Sequence, residues 1–275
     1  MQANSDKSPY PRRRVIRFLL KQMIKATYRL ISDFRVEGQE NAPTTGPLIV
    51  VANHFHFADP AALIRALPWP LEFFGATRFA DAPWFAAWLP KVWGYYAVHR
   101  GAASTQAVHA AEGVLSQKGI IGIFPEGGSW AQVLRPARLG AALLAVETGA
   151  YLLPVGLDGL TELFPLSARR PPVTVRIGPV FGPYTATGRG RERRGQLEAL
   201  GADMMQHIQA LLPPERHGVF SADPQLREAA QTAAVYPFDD DSKRGWKAQA
   251  RRPLKLRQTR ALTLRIQKLS PGYLY

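Results

Sequence analysis

The chain has 275 residues, 46% of them hydrophobic, enough for one substantial domain with a buried core. It contains no cysteine, which excludes disulfide support and a cysteine nucleophile, and no apolar run approaches the ~18 residues that span a bilayer. Its 35 lysines and arginines against 21 acids give a net charge of +14, which calls for an anionic partner: nucleic acid, an acidic membrane surface, or a phosphorylated or CoA-like substrate.

Residues 1–10 are polar, and a helical pattern runs from about Arg13 to Ser32. Ile16, Leu19, Leu20, Met23, Thr27, Leu30, Ile31 and Phe34 recur at helical spacing, while Arg17, Lys21, Lys25 and Arg29 recur every fourth residue. Residues 1–33 are therefore expected to carry a basic amphipathic, membrane-associating helix, whose interrupting charges rule out the apolar core of a signal peptide. Such a helix can lie in the interface of an anionic membrane, each basic residue adding about 1 kcal/mol. It can equally pack its apolar face on the protein's own core. The pattern alone does not choose.

From Phe34 onward strands alternate with helices. Phe34–Glu37, Leu48–Asn53, Leu71–Ala76, Tyr95–His99, Ile120–Phe124, Leu152–Val155 and Val173–Ile177 read as strands. Asp59–Leu67, Pro83–Leu89, Ser104–Lys118, Arg138–Thr148 and Arg194–Leu212 read as helices, with glycine stops at Gly119 and Gly149. This order predicts an α/β fold: a single domain over residues 34–220, with a mixed, largely parallel sheet flanked by helices. Beyond Pro213-Pro214 the pattern dissolves. Residues 221–275 carry Lys243, Arg244, Lys247, Arg251, Arg252, Lys255, Arg257, Arg260, Arg265 and Lys268, and read as a basic, partly disordered tail.

Three strand ends carry chemistry. In Asn53-His54-Phe55-His56-Phe57-Ala58-Asp59-Pro60, an imidazole and a carboxylate stand five positions apart across a strand-to-helix turn. If the turn brings them together, Asp59 accepts from one ring N–H of His54 and leaves the other nitrogen free to take a proton. Asp59 before Pro60 is also what a helix cap looks like, and it can serve both roles with different oxygens. A metal held by His54 and His56 lacks a third ligand. Phe124-Pro125-Glu126-Gly127-Gly128-Ser129 ends a buried strand in a glycine turn whose N–H groups suit a phosphate or oxyanion, though an ordinary turn with a solvated Glu126 fits as well. Val98-His99-Arg100-Gly101 ends another strand in a guanidinium suited to phosphate, though an ordinary surface arginine is the commoner occurrence.

No Gly-x-Ser-x-Gly occurs, so a His–Asp pair here would activate a hydroxyl of the substrate. Four of the six tryptophans, Trp69, Trp84, Trp88 and Trp93, cluster in one stretch, as expected of core packing, an interfacial anchor or an acyl groove.

Taken in order, these blocks resemble the PlsC-like glycerolipid acyltransferases. Asn53, His54 and Asp59 match their Asn-His-x-x-x-x-Asp motif, Tyr96 to Gly101 the second motif through Arg100, Phe124 to Gly127 the Phe-Pro-Glu-Gly motif, and Leu153-Pro154-Val155 the fourth. The Leu211-Leu212-Pro213-Pro214-Glu215-Arg216 ending is also similar. The resemblance implies transfer of a fatty acyl group from acyl-CoA or acyl carrier protein to a glycerol phosphate or lysolipid, with no further cofactor and no metal. It implies His54 as general base, Asp59 as its orienter, and Asn53, Arg100, Glu126 and Gly127 in substrate binding. The family's threonine and arginine after Glu-Gly are here Gly128 and Ser129, so Arg135 or Arg138 is expected to supply the missing phosphate contact. A peripheral position on the cytoplasmic face of an anionic membrane follows. The competing expectations are a catalytically idle lipid-binding accessory with the same fold, and nucleic-acid binding through the basic tail.

Overall fold

Seven strands form one sheet in the computed structural model, which describes residues 9–76, 88–98, 105–163 and 170–234. They are β1 (Asp33–Glu37), β2 (Leu48–Ala52), β3 (Leu71–Ala76), β4 (Tyr95–Val98), β5 (Ile120–Ile123), β6 (Leu152–Asp158) and β7 (Pro172–Ile177), in the order β1-β7-β6-β2-β5-β3-β4. The five strands from β6 to β4 run parallel. β7 is antiparallel to β6, and β1 runs alongside β7 in its direction. The sheet is mixed and largely parallel, as the sequence predicts.

The helices are α1 (Arg14–Ile31), α2 (Asp59–Ala66), α3 (Leu89–Trp93), α4 (Thr105–Leu115), α5 (Leu139–Thr148), α6 (Gly190–Gln209) and α7 (Pro224–Ala234). Central strand β2 is buried along its whole length, which is why it reads as an unbroken apolar run. Its side chains alternate between two cores. Leu48, Val50 and Ala52 meet Leu20, Ile24 and Tyr28 of α1 and Leu63 of α2, whereas Ile49 and Val51 meet Val114 of α4, Leu144 of α5 and Met204 of α6.

Helix α1 is oriented differently from a helix packed by its apolar stripe. Arg17, Leu20, Ile24 and Tyr28 face inward, while Val15, Phe18, Leu19, Met23 and Leu30 are exposed. Arg17, expected among the solvated basic residues, is 2% exposed. It is held there by Glu72 of β3, with Nη2–Oε2 at 2.8 Å, and by the Trp93 carbonyl at 2.9 Å. Arg12 donates to the same carboxylate at 2.7 Å. Burial alone would raise the pKa of Glu72, but the two arginines outweigh it and hold the carboxyl below its usual value.

The expected Pro83–Leu89 helix, with Trp84, lies almost wholly outside the described residues, and a five-residue helix occupies Leu89–Trp93. Two local expectations need revision. At the end of α4 the left-handed residue is Lys118, not Gly119, whose N–H returns to Val114 O. The tail after residue 221 contains α7, capped by Asp223, whose Oδ1 accepts from Gln225 N at 2.8 Å. The basic run from Lys243 to Lys268 lies outside the described residues.

Candidate active site

Neighbouring parallel strands β2 and β5 end side by side, so the turns carrying His54 and Glu126 meet at the carboxyl edge of the sheet, where ligands of α/β proteins bind. Asn53, expected to bind substrate, is fully buried instead. Its Oδ1 accepts from Leu157 N at 2.7 Å and its Nδ2 donates to Leu157 O at 2.9 Å. The amide ties the exit of β2 to β6, because a strand end leaving the sheet must satisfy its neighbour's backbone.

Asp59, also fully buried, opens α2 and points back into the turn. Its Oδ2 accepts from His54 Nδ1 at 2.8 Å, Phe55 N at 2.7 Å and His56 N at 2.8 Å. A carboxylate only accepts, so this geometry assigns the imidazole proton to Nδ1 and leaves Nε2 with its lone pair as an acceptor. The expected division of labour between its oxygens fails. Ala58 is the N-cap, without a side-chain bond, and Oδ1 has no partner. Lying inside the first turn, the carboxylate reaches the loop before the helix and not the N–H groups ahead of it.

The His54 ring is 17% exposed and stacks on Phe124, with centroids 4.2 Å apart and planes 22° from parallel. Behind the turn, Tyr28 of α1 donates to Ala58 O at 3.0 Å. Neighbouring His56 is buried, and its Nδ1 accepts from Ala58 N at 3.3 Å. Burial lowers its pKa against the pull of Asp59, with His54 adding to the decrease, so it stays neutral. Among the described residues, no cluster of three or more His, Cys, Asp or Glu suits a metal ion.

Glu126 and Arg135, both expected at a phosphate, are each 1% exposed and pair with one another, Arg135 Nε to Glu126 Oε2 at 2.8 Å. Glu126 Oε1 accepts from His54 N at 2.8 Å. Arg135 Nη2 donates to His54 O at 3.0 Å and Gly128 O at 2.5 Å, and the guanidinium lies 3.7 Å over the Trp130 ring. Burial pushes the Glu126 carboxyl up to about 7, the Arg135 charge and the His54 N–H opposing it. Neither side chain reaches solvent, so neither is placed to grip an anion.

Gly127 is exposed, but its N–H closes the turn onto Phe124 O at 3.1 Å. Its φ of +81° is a conformation for glycine, and a Cβ there would come within 3.2 Å of Arg138 Cγ. Arg138 is exposed beside this turn, directly before the first residue of α5. Of the two candidate arginines only Arg138 is exposed. Arg100 and His99 lie outside the described residues. The stacking of Phe124, the Tyr28 bond and the interior role of Arg135 escape sequence reasoning, since each partner is distant in the chain.

Residues 33–158 match the family model Acyltransferase, a stretch that contains both the His54 and the Glu126 turns. Among solved structures, the chain is similar to the crystal structure of the 1-acyl-sn-glycerophosphate (LPA) acyltransferase, PlsC, from Thermotoga maritima, at 23% identity and a TM-score of 0.47. That likeness covers 73% of this chain and 84% of the other.

Proposed function

We propose that the chain is a PlsC-like O-acyltransferase that moves a fatty acyl group from acyl-CoA or acyl carrier protein to a hydroxyl of a glycerol phosphate or lysophospholipid, with His54 as general base, a reading supported by the match of residues 33–158 to the Acyltransferase family model. The observation that carries this is the 2.8 Å bond from His54 Nδ1 to a fully buried Asp59 beneath a partly exposed ring. His54 Nε2 removes the acceptor's hydroxyl proton as its oxygen attacks the thioester carbonyl carbon. The tetrahedral intermediate collapses with cleavage of the C–S bond, and the same nitrogen returns the proton to the departing thiolate. An ester and a free thiol result without an acyl-enzyme. Arg138, exposed at the Gly127 turn, is the phosphate contact for the acceptor.

The acyltransferase unit is residues 34–220, and α1 is its membrane-associating segment on the cytoplasmic face. The outward stripe of Val15, Leu19, Met23 and Leu30, with exposed Arg14, Lys25 and Arg29, supports an anionic lipid surface as the partner of α1. No helix among the described residues is long and apolar enough to cross a membrane. The test is thiol release from acyl-CoA and from acyl carrier protein against a panel of lysolipids and glycerol phosphate on anionic vesicles. Release is expected only with a phosphorylated acceptor, and Arg138→Ala is expected to raise acceptor KM about tenfold. Release with no acceptor, or with none of the panel, contradicts the proposal.

A further inference from the structure

The turn that carries His54 is held almost entirely by charged side chains. His54 N–H bonds to Glu126, His54 C=O to Arg135, and the following N–H, of Phe55, to Asp59. Each of these three backbone groups therefore has a carboxyl or guanidinium partner, and the bonds to Arg135 and Asp59 are charge-assisted. Arg135 joins the two turns: Nε sits on Glu126 while Nη2 bridges His54 O and Gly128 O. Its own segment is clamped in turn, since Leu134 N donates to Arg216 O at 2.9 Å and Val219 N to Leu134 O at 3.2 Å. The remaining Nη1 is buried without a partner.

We infer that Arg135 is a positioning residue for acyl transfer, fixing the His54–Phe55 peptide where the imidazole meets Asp59. Its side chain is 1% exposed, inside the turns and away from solvent. A guanidinium suits the task because its planar fork reaches a carboxylate and two carbonyls in one geometry, which a lysine ammonium on a flexible stem does not reproduce. Misplacement of a catalytic group by 1 Å is enough to lose about 100-fold in rate. The inference rests on His54 acting as the base.

The experiment compares wild type, His54→Ala, Arg135→Lys and the charge-neutral pair Glu126→Gln with Arg135→Met, measuring kcat, acceptor KM, Tm and the downfield NMR resonance of the His54 Nδ1 proton. The double change removes both buried charges together, a replacement often tolerated in stability. It is expected to lower kcat by about 100-fold with acceptor KM within about threefold, and to shift or broaden the Nδ1 proton. Arg135→Lys is expected to lose about tenfold in kcat by the same displacement, and decides the matter should the double variant fail to fold. Wild-type kcat in a folded variant with an unmoved proton, or a raised KM at wild-type kcat, overturns the inference. A fully active His54→Ala would instead sink the general-base proposal, whatever Arg135 does.

Discussion

Replacing Leu19 and Leu30 with glutamine tests what the exposed side of α1 does. These leucines are 60% and 76% exposed and belong to the outward stripe, so the change leaves Leu20, Ile24 and Tyr28 in the core. Glutamine is a good helix former, so α1 itself persists. Moving most of each leucine side chain from water into lipid is worth about 1.5 kcal/mol, hence ~3 kcal/mol for the two. That corresponds to a factor on the order of 100 in partitioning. The assay is co-sedimentation with anionic and with neutral vesicles across a range of salt. The variant is expected to bind anionic vesicles about 100-fold more weakly, its residual binding more sensitive to salt because Arg14, Lys25 and Arg29 then carry a larger share of it beside Val15, Phe18 and Met23. Tm should not fall. An unchanged partition coefficient refutes the membrane role of this face, and a large drop in Tm refutes the assignment of these leucines to the outside.

Asp59→Asn should lower kcat by ~10³–10⁴-fold, as the analogous change does in serine-protease triads by upsetting the imidazole tautomer; thioester release within tenfold of wild type would contradict the geometry. His56, buried neutral with a lowered pKa, binds its proton less tightly folded than unfolded. Its contribution is therefore complete above the ordinary histidine value of about 6.5 and lost as pH falls through the folded pKa. His56→Asn, which can keep an acceptor for Ala58 N, should flatten the acid side of a Tm-against-pH curve between about pH 7.5 and 5, and an unaltered slope would be evidence against this. Glu72→Gln strands Arg17 in the core and should cost about 3–5 kcal/mol, whereas Glu37→Gln at the exposed Arg176 pair should cost about 0–1 kcal/mol. Urea denaturation of the two variants separates these outcomes.

Much of this architecture is legible in the chain because it follows from local pattern. An unbroken apolar run from Leu48 to Ala52 is what a strand covered on both faces requires, and the helix after it starts at Asp59 as predicted. The His54–Asp59 spacing likewise encodes a contact that a single turn can close. Orientation against distant partners is another matter. The periodicity of α1 reveals an apolar stripe but not that Glu72, 55 residues on from Arg17, would draw an arginine inward and turn that stripe to the outside. Asn53 reads as part of a motif, yet Leu157 takes its amide from 104 residues away. Glu126 and Arg135 each look like surface charge until the turns after β2 and β5 are brought together and bury both. Helix α7 is different, since Asp223-Pro224 is a helix start written in the sequence after a stretch where periodicity had faded.

The central claim is that His54 takes the acceptor's proton. Steady-state thiol release by purified His54→Ala on anionic vesicles, with Tm measured alongside, tests it most directly. The account predicts a folded protein whose kcat is reduced by ~10²–10⁴-fold. A folded variant that keeps more than about a tenth of wild-type turnover, outside the range expected for loss of a general base, would contradict it.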